Sequence, residues 1–325
     1  MGELGAANHV TRPAPVTNPA PVTIRTLRKM ASQGAAFACL TCYDATTARW
    51  LERAGVHVLL VGDTAAEMVL GYSRTIDMPL DVLIELTAGV KRGAPRTFVM
   101  GDMPFMSYHA DEAEAIRNAG RFMTRGLADI VKIEADASFA PLVARMARAG
   151  VPVCGHIGSK PQQAALSGGY SGAGRTPREA DQIVADAVAL EEAGAVMLLI
   201  EAVPQDVTRR VLQATKVPMI GIGAGPEPHG QVLVLQDLLG LSDRPPTFAL
   251  AMAAMGDELV RVGRRWVEAV ERREVGVKTA GGGGAALDRP LRPRKKPAGR
   301  PVPLRKVAAA CAIIRPSRWN RCFSS

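Results

Sequence analysis

The sequence of 325 residues has few aromatic side chains, few histidines and no long apolar run. Phe, Trp and Tyr together make up 4% of the residues, and the chain contains five histidines. It has no apolar stretch of the roughly 18 residues that a membrane-spanning helix needs, so we expect no membrane association. The amino-terminal residues lack a basic region followed by an apolar one, which predicts no secretory signal. A composition that is 47% apolar fits a soluble globular protein, which we expect in the cytoplasm.

Cysteine is also scarce, and its spacing raises one metal-binding alternative. Cys39 and Cys42 have the C-x-x-C spacing of redox and zinc sites. A zinc site would need a second pair of ligands, and the sequence has none at a suitable spacing. Both residues lie within an apolar segment, 37–43, that is typical of a strand. We therefore predict buried thiols in a reducing compartment.

The net charge of +9 belongs to the carboxyl-terminal segment. Residues 278–325 contain 12 of the 40 basic residues and one of the 31 acidic ones, so the remainder of the chain has a net charge of −2.

We predict a flexible Pro/Ala-rich arm at 1–23, one barrel domain at 24–274 and a disordered Gly/Pro/Arg-rich basic tail at 275–325. Nucleic-acid binding is not expected, because no aromatic residues interrupt the basic run. The tail is the only candidate for it.

A unit of helix, glycine and apolar strand recurs along the chain, which predicts a parallel α/β fold. The predicted helices lie at 24–32, 79–92, 112–124, 139–149, 177–193 and 257–270. The predicted strands lie within 35–44, 56–63, 96–102, 129–134, 151–158, 196–202, 217–225 and, most weakly, 247–252. Eight strands favour a single-domain (β/α)8 TIM barrel, with a doubly wound open sheet as the alternative. The last helix places Leu259, Val262, Trp266 and Val270 on one stripe.

Four of the predicted strands end in an acidic residue. These are Asp63, Asp102, Glu134 and Glu201. In a barrel the carboxyl ends of the strands meet at one mouth. Carboxylates that share a small volume repel one another unless a cation neutralises them, and a set of oxygen ligands favours Mg²⁺ or Mn²⁺. The alternative is that each acid caps a helix or pairs with an arginine. For Asp63, Asp102 and Glu134 together we favour the metal.

Two further polar residues lie near the carboxyl ends of predicted strands, and a glycine-rich segment follows them in the sequence. Lys132 is two residues before Glu134, so both side chains face the same side of the strand. Lys132 is predicted to hold a substrate carboxylate or oxyanion, with a Schiff-base role as the alternative. His156 ends the fifth strand, where either a structural hydrogen bond or a ligand contact is expected. The segment 168–174 is predicted to be a lid over the mouth.

Motifs along most of the chain come in the order found in one enzyme family. They are VGD at 61–63, GDMPF at 101–105, VKIE at 131–134, VPVCGHIG at 151–158, GGY at 168–170, LIEAVP at 199–204 and VPMIGIGAG at 217–225. From about Ile24 to Val270 the sequence resembles the ketopantoate hydroxymethyltransferase family. The arm and the basic tail fall outside the resemblance.

The resemblance implies a homo-oligomeric (β/α)8 barrel, a decamer in relatives, with one Mg²⁺ per subunit. It implies transfer of a one-carbon unit from 5,10-methylenetetrahydrofolate to 3-methyl-2-oxobutanoate, which gives ketopantoate for pantothenate and coenzyme A. By matching motifs, Asp63 and Asp102 would bind Mg²⁺, and Glu134 would lie in or next to its coordination shell. Glu201 would be the base. The implied contacts of the keto acid are Asp63, Thr64, Asp102, Lys132 and His156.

Several positions depart from the family pattern. Residues 64–66 are Thr-Ala-Ala instead of Ser-Leu-Gly, residues 168–175 are GGYSGAGR instead of GGYKVQGR, and residues 229–231 are His-Gly-Gln instead of Asp-Gly-Gln. These changes concern the keto-acid side chain and the folate subsite. They leave open a divergent Mg²⁺-dependent keto-acid aldolase or lyase that uses no folate. A catalytically idle chain that binds partners through its basic tail is a third alternative.

Overall fold

The protein is described by a computed structural model in residues 20–166 and 168–275, where eight parallel strands close into a barrel. Each strand pairs with its neighbours in sequence, and β8 pairs with β1 to complete the ring. The strands are β1 Phe37–Thr41, β2 Val58–Val61, β3 Phe98–Asp102, β4 Ile130–Glu134, β5 Val153–Gly158, β6 Met197–Glu201, β7 Met219–Ile222 and β8 Gly230–Leu233. The predicted (β/α)8 barrel is therefore confirmed, and the open sheet is excluded.

Helices alternate with most of the strands along the chain, and short 3₁₀ turns accompany three of the connections. The α-helices are α1 Ile24–Ser32, α2 Ala45–Arg53, α3 Ala65–Met68, α4 Leu80–Gly93, α5 Glu112–Thr124, α6 Ala140–Arg148, α7 Pro177–Glu192, α8 Gln205–Ala214, α9 Leu235–Leu238 and α10 Met255–Glu271. The 3₁₀ turns are Thr75–Asp77, Ala137–Phe139 and Pro161–Gln163. The bounds of α1 and α5 agree with the sequence prediction, and each other predicted helix differs by only a few residues at its ends.

The predicted eighth strand at 247–252 is wrong. That segment has no regular secondary structure, and Leu250 and Met252 are 77% and 84% exposed. The barrel is closed instead by β8, which has only four residues and begins with Gly-Gln, so it lacks the apolar run that identifies the other strands. Glycine at its first position is required by packing, because a Cβ at Gly230 would overlap the ring of Phe37 on β1.

Alternation along each strand separates the barrel interior from the layer between strands and helices. On β4, Val131 and Ile133 point outward into the apolar layer under the helices. Ile130 points inward, where it packs with other apolar side chains that fill the amino-terminal part of the barrel. Lys132 and Glu134 also point inward, higher in the barrel, and line a cavity. The barrel interior is therefore apolar at one end and charged at the other.

The contact between α2 and α4 leaves no room for a side chain at Gly93, so we expect Gly93→Ala to be strongly destabilising. A Cβ at Gly93 would lie 2.6 Å from the Cα of Ala45, and a backbone cannot turn aside as a side chain can. Overpacking costs about 1–3 kcal/mol, and we expect the upper part of that range. Urea unfolding followed by circular dichroism at fixed protein concentration measures the change.

Gly89→Ala is the matched control, because Gly89 lies one turn earlier in α4 and a Cβ there would meet no atom within 4 Å. Alanine has the higher helix propensity, so this change should raise the free energy of unfolding by about 0.5–1 kcal/mol. Equal effects of the two substitutions would contradict the close approach of α2 and α4.

The three cysteines within the described ranges are buried free thiols, as predicted: Cys39, Cys42 and Cys154.

Residues 1–19 of the predicted arm and residues 276–325 of the predicted tail lie outside the described ranges. The chain divides into two compact units between Trp266 and Val267. Within the described residues, every helix is too short or too polar for a membrane span.

Candidate active site

A cavity of about 60 Å³ lies at the carboxyl ends of the strands, inside the barrel mouth. All seven residues that the sequence predicts for the site line this cavity. They are Asp63, Thr64, Asp102, Lys132, Glu134, His156 and Glu201. The side chains come from five different strands or the residues directly after them, so the closed barrel is what assembles them.

Strand register sets which of these side chains are neighbours. In the β3–β4 pair Asp102 is opposite Lys132, and in the β4–β5 pair Glu134 is opposite His156. On β6, Glu201 pairs with the last residue of β5, so its carboxylate lies beyond the imidazole of His156. The register therefore alternates acidic with basic groups around part of the mouth.

Lys132 is a buried cation held among carboxylates. Its Nζ lies 2.8 Å from Asp102 Oδ1. Burial by itself would lower the pKa of Lys132, but Asp102, Asp63 and Glu134 outweigh it and raise the pKa above the ordinary value. A Schiff-base lysine must lose its proton to act as a nucleophile, and it needs a lowered pKa. The surroundings of Lys132 favour the other predicted role, a fixed positive charge that binds an anionic substrate group.

His156 connects Lys132 with Glu201. Its Nδ1 lies 3.3 Å from Lys132 Nζ, and its Nε2 lies 3.2 Å from Glu201 Oε2. Burial, together with the charge of Lys132, lowers the pKa of His156, so the ring is neutral near pH 7. An ammonium group only donates hydrogen bonds, so Nδ1 is the acceptor and the proton is on Nε2. That proton faces Glu201, although Nε2 makes no well-formed hydrogen bond within the described residues.

The three carboxylates predicted to bind metal lie together and are almost completely buried. Asp102 Oδ2 accepts a hydrogen bond from the backbone N–H of Asp63 at 3.1 Å. Asp102 Oδ1 pairs with Lys132 Nζ. Burial, together with repulsion from Asp102, raises the pKa of Asp63, and burial raises the pKa of Glu134. When all three carboxylates are ionised, the group has more negative charge than Lys132 alone balances.

The donor chemistry of this cluster fits a hard divalent cation. Its candidate ligands are carboxylate oxygen atoms, and Asp63, Asp102 and Glu134 bring them to one buried cavity. In residues 20–166 and 168–275, no three acidic, imidazole or thiol side chains are placed so that together they could hold one metal ion. Mg²⁺ does not require an all-protein cage, because it usually binds one or two carboxylates and completes its octahedron with water and substrate oxygens. The arrangement therefore suits Mg²⁺ better than a metal that needs an all-protein cage.

A second and larger cavity, of about 470 Å³, opens directly outside the first. Thr64 and Glu201 line both cavities and so mark the boundary between them. Tyr170 and Ser171, from the segment predicted to be a lid, line the outer cavity together with the ring of Phe248. The segment thus lies at the mouth, as the sequence predicts.

Sequence reasoning missed two buried residues that contact the acids, Gln162 and Tyr108. Gln162 donates hydrogen bonds to both Asp63 and Glu134, and the Tyr108 hydroxyl accepts one from the backbone N–H of Glu134. Gln162 follows a proline just beyond β5, at the same end of the barrel as the acids. That position was the available signal, but a neutral amide in a loop is common and does not by itself indicate a site.

The family model for ketopantoate hydroxymethyltransferase matches residues 21–276. The chain belongs to this family. The 3-methyl-2-oxobutanoate hydroxymethyltransferase of Halorhodospira halophila is 44% identical over 235 residues, which cover 72% of this chain and 85% of the relative. The enzyme of the same name from Alkalilimnicola ehrlichii is 46% identical over 230 residues, covering 70% and 83%. The predicted family is therefore confirmed, and so is the prediction that the chain is an enzyme of the transferase class.

Solved structures share the fold of this family member at low sequence identity. A crystal structure of phosphonopyruvate hydrolase in complex with oxalate and Mg²⁺ superposes with a TM-score of 0.53 at 14% identity, covering 78% of this chain and 89% of that one. For 2,3-dimethylmalate lyase the TM-score is 0.53 at 16% identity, covering 81% and 92%. Both support the barrel fold alone.

Proposed function

We propose that this enzyme transfers a hydroxymethyl group from 5,10-methylenetetrahydrofolate to 3-methyl-2-oxobutanoate and forms 2-dehydropantoate. The observation that carries the proposal is the convergence of the seven predicted site residues on one buried cavity that adjoins a larger one. The keto acid binds in the inner, charged cavity, and the folate binds in the outer one. The relatives' name and the family match support this substrate.

Mg²⁺ is the cation that we propose for the inner cavity. Asp63 and Asp102 would hold it, with Glu134 in or beside its coordination shell. Bound there, Mg²⁺ would supply Lewis-acid activation of the keto oxygen. The oxygen-only donor set supports this assignment, as does the repulsion among the three carboxylates when they are ionised.

Lys132, His156 and Thr64 bind and orient the keto acid. The charge of Lys132 attracts the substrate carboxylate and stabilises negative charge on its oxygen atoms. The Nε2 proton of His156 and the Thr64 hydroxyl offer directed hydrogen bonds at the cavity wall. Both side chains line the cavity, and Thr64 makes no cap hydrogen bond to the helix that it precedes.

Glu201 is the general base that removes the proton from C3. It is the acid at the boundary between the two cavities, so it lies where carbon atoms of the two substrates meet. The C3–H bond breaks, the proton passes to Glu201, and the electron pair forms an enolate. C3 then bonds to the methylene carbon of the folate, and the two bonds of that carbon to nitrogen break. Water supplies the hydroxyl group, and the two nitrogens take up the proton held by Glu201 and the remaining proton of the water. Tetrahydrofolate leaves.

We further propose that the enzyme acts in the cytoplasm, in pantothenate and coenzyme A biosynthesis, as a homo-oligomer. Its catalytic domain is the predicted barrel at 24–274. An exposed apolar stripe supports self-association: Leu259 and Trp266 on α10 are 60% and 59% exposed, with Val262 between them. Surfaces of this kind are often covered by another subunit.

Exchange of the C3 proton in D₂O tests the first half of the reaction. We expect NMR to show loss of the C3 proton signal of 3-methyl-2-oxobutanoate with protein and Mg²⁺, and no loss when EDTA replaces Mg²⁺. Adding 5,10-methylenetetrahydrofolate should then give the CH₂OH signal of the product. 2-Oxobutanoate is a useful comparison, because its C3 protons need the same chemistry but it lacks one methyl group.

The outcomes separate the proposal from the alternative chemistry. Metal-dependent exchange without product formation would favour an aldolase or lyase that uses no folate. If folded, metal-loaded protein gave neither exchange nor product, even with the folate present, the proposed substrate would be wrong.

A further inference from the structure

Gln162 is a buried neutral residue at the acid cluster, and none of the roles above uses it. It lies in the 3₁₀ turn Pro161–Gln163, directly beyond β5, and is 3% exposed. Its backbone N–H lies 3.1 Å from both carboxylate oxygens of Glu134. Its side-chain Nε2 donates to Asp63 Oδ2 at 3.0 Å. One residue therefore holds two of the three carboxylates that we propose around the cation.

The orientation of the Gln162 amide is set by its partners. Nε2 lies 3.1 Å from the carbonyl oxygen of Met103 as well as 3.0 Å from Asp63, and both of these atoms are acceptors. Oε1 lies 2.9 Å from the Tyr108 hydroxyl. With the amide turned over, Oε1 would face two acceptor oxygens at hydrogen-bond distance, which is repulsive. The NH₂ group must therefore point to Asp63.

Tyr108 completes this arrangement. Its hydroxyl accepts a hydrogen bond from the backbone N–H of Glu134 at 3.0 Å. Of the two acceptors for its own proton, Gln162 Oε1 at 2.9 Å is nearer than the carbonyl oxygen of Glu134 at 3.3 Å. The ring is buried and packs against His109 and Phe139. The amide is thus held on one side by a rigid aromatic residue and on the other by the backbone of Met103.

The hydrogen bond to Asp63 Oδ2 fixes the direction of its Oδ1, and the N–H shared by both oxygens of Glu134 fixes the orientation of that carboxylate. Asp63 follows β2, and Glu134 ends β4, so their relative position is not set by a shared strand pair. The hydrogen bonds from Gln162 tie both groups to the turn after β5. Buried hydrogen bonds to ionised groups are about twice as strong as neutral ones, which makes this link effective.

We infer that Gln162 is a positioning residue for the cation site, which orients the carboxylates of Asp63 and Glu134 for Mg²⁺. This inference rests on the proposed function only for the presence of the cation. Outer-shell partners of metal ligands typically contribute about 10–100-fold to metal affinity. Gln162 acts through Asp63 and Glu134 and needs no contact with the substrate.

Gln162→Met tests the inference, because methionine has a similar length and no hydrogen-bonding amide, and the backbone N–H remains. We expect isothermal titration with MgCl₂ alone, without substrate, to show a Kd about 10–100-fold weaker than that of the unchanged protein. Gln163→Met is the matched control, since Gln163 is the next residue in the same turn and lines a different cavity. Its Kd for Mg²⁺ should not change.

The binding measurement separates positioning from a purely structural role. A structural residue would lower the melting temperature and leave the Kd for Mg²⁺ unchanged, and that result would overturn the inference alone. Absence of Mg²⁺ binding by the unchanged protein would overturn both the proposed cation and this inference. If Gln162→Met does not fold, Tyr108→Phe replaces it, because the ring stays and only the hydroxyl is lost. That variant should weaken Mg²⁺ binding by roughly 10-fold, and an unchanged Kd would overturn the inference.

Discussion

Replacing Glu201 with glutamine is expected to slow C3 proton exchange of 3-methyl-2-oxobutanoate by about 10²–10⁴-fold, the range that a general base contributes. Glutamine keeps the size of the side chain and its place at the boundary of the two cavities, but it cannot accept the proton. His156 would keep its neighbour, because the amide oxygen can still face Nε2. NMR exchange rates in D₂O with saturating Mg²⁺ measure the effect.

The metal site provides the internal control for this variant. Glu201 is not among the proposed ligands, so Glu201→Gln should bind Mg²⁺ with the affinity of the unchanged protein. Glu85→Gln is the matched surface control, because Glu85 pairs with Arg125 in an exposed salt bridge, and such pairs contribute little. Exchange by Glu201→Gln at the unchanged rate would assign the base to another residue.

The second large effect is expected for Asp102→Asn, which should weaken Mg²⁺ binding by more than about 100-fold, beyond the range for outer-shell changes. The substitution removes the carboxylate charge and makes one of the two oxygen atoms a nitrogen. It also takes from Lys132 the carboxylate oxygen that lies 2.8 Å from its Nζ. Breaking a buried ion pair costs about 3–5 kcal/mol, so a lower free energy of unfolding is expected as well. Titration calorimetry and urea unfolding measure the two effects separately.

The two measurements also decide between the alternatives that the sequence left open for the acids. If Asp102 only pairs with Lys132, Asp102→Asn should lose stability and keep its Mg²⁺ affinity. Asp181→Asn is the control, because Asp181 forms an exposed ion pair with Arg210 on the surface and should change neither quantity.

Much of the barrel could be predicted from local sequence. Strands such as Ile130–Glu134 are buried on both faces, so they appear as apolar runs that end at a single acid. The strand Gly230–Leu233 could not be found in this way. It is short, and its outward-facing Gln231 is exposed, so its place in the barrel depends on pairing with β1 and β7 rather than on an apolar pattern.

Helix α10 shows a second limit of prediction from the sequence. The pattern at 257–270 correctly predicted a helix, and Met255–Glu271 forms one. Its apolar stripe, however, is exposed at Leu259, Val262 and Trp266. Periodicity states which side chains share a face, but it does not state what that face contacts.

The sequence by itself determined the fold class and the charged residues that line the inner cavity, because β2 to β6 each carry an acid, a lysine or a histidine at or near their carboxyl ends. Only the tertiary structure decided how they interact. Strand register places Asp102 beside Lys132 and Glu134 beside His156, and the closed barrel brings Asp63 to the same cavity. It also brings Gln162, 99 residues away in sequence, to Asp63. Contacts over such separations depend on how the chain closes on itself, and no local pattern contains that information.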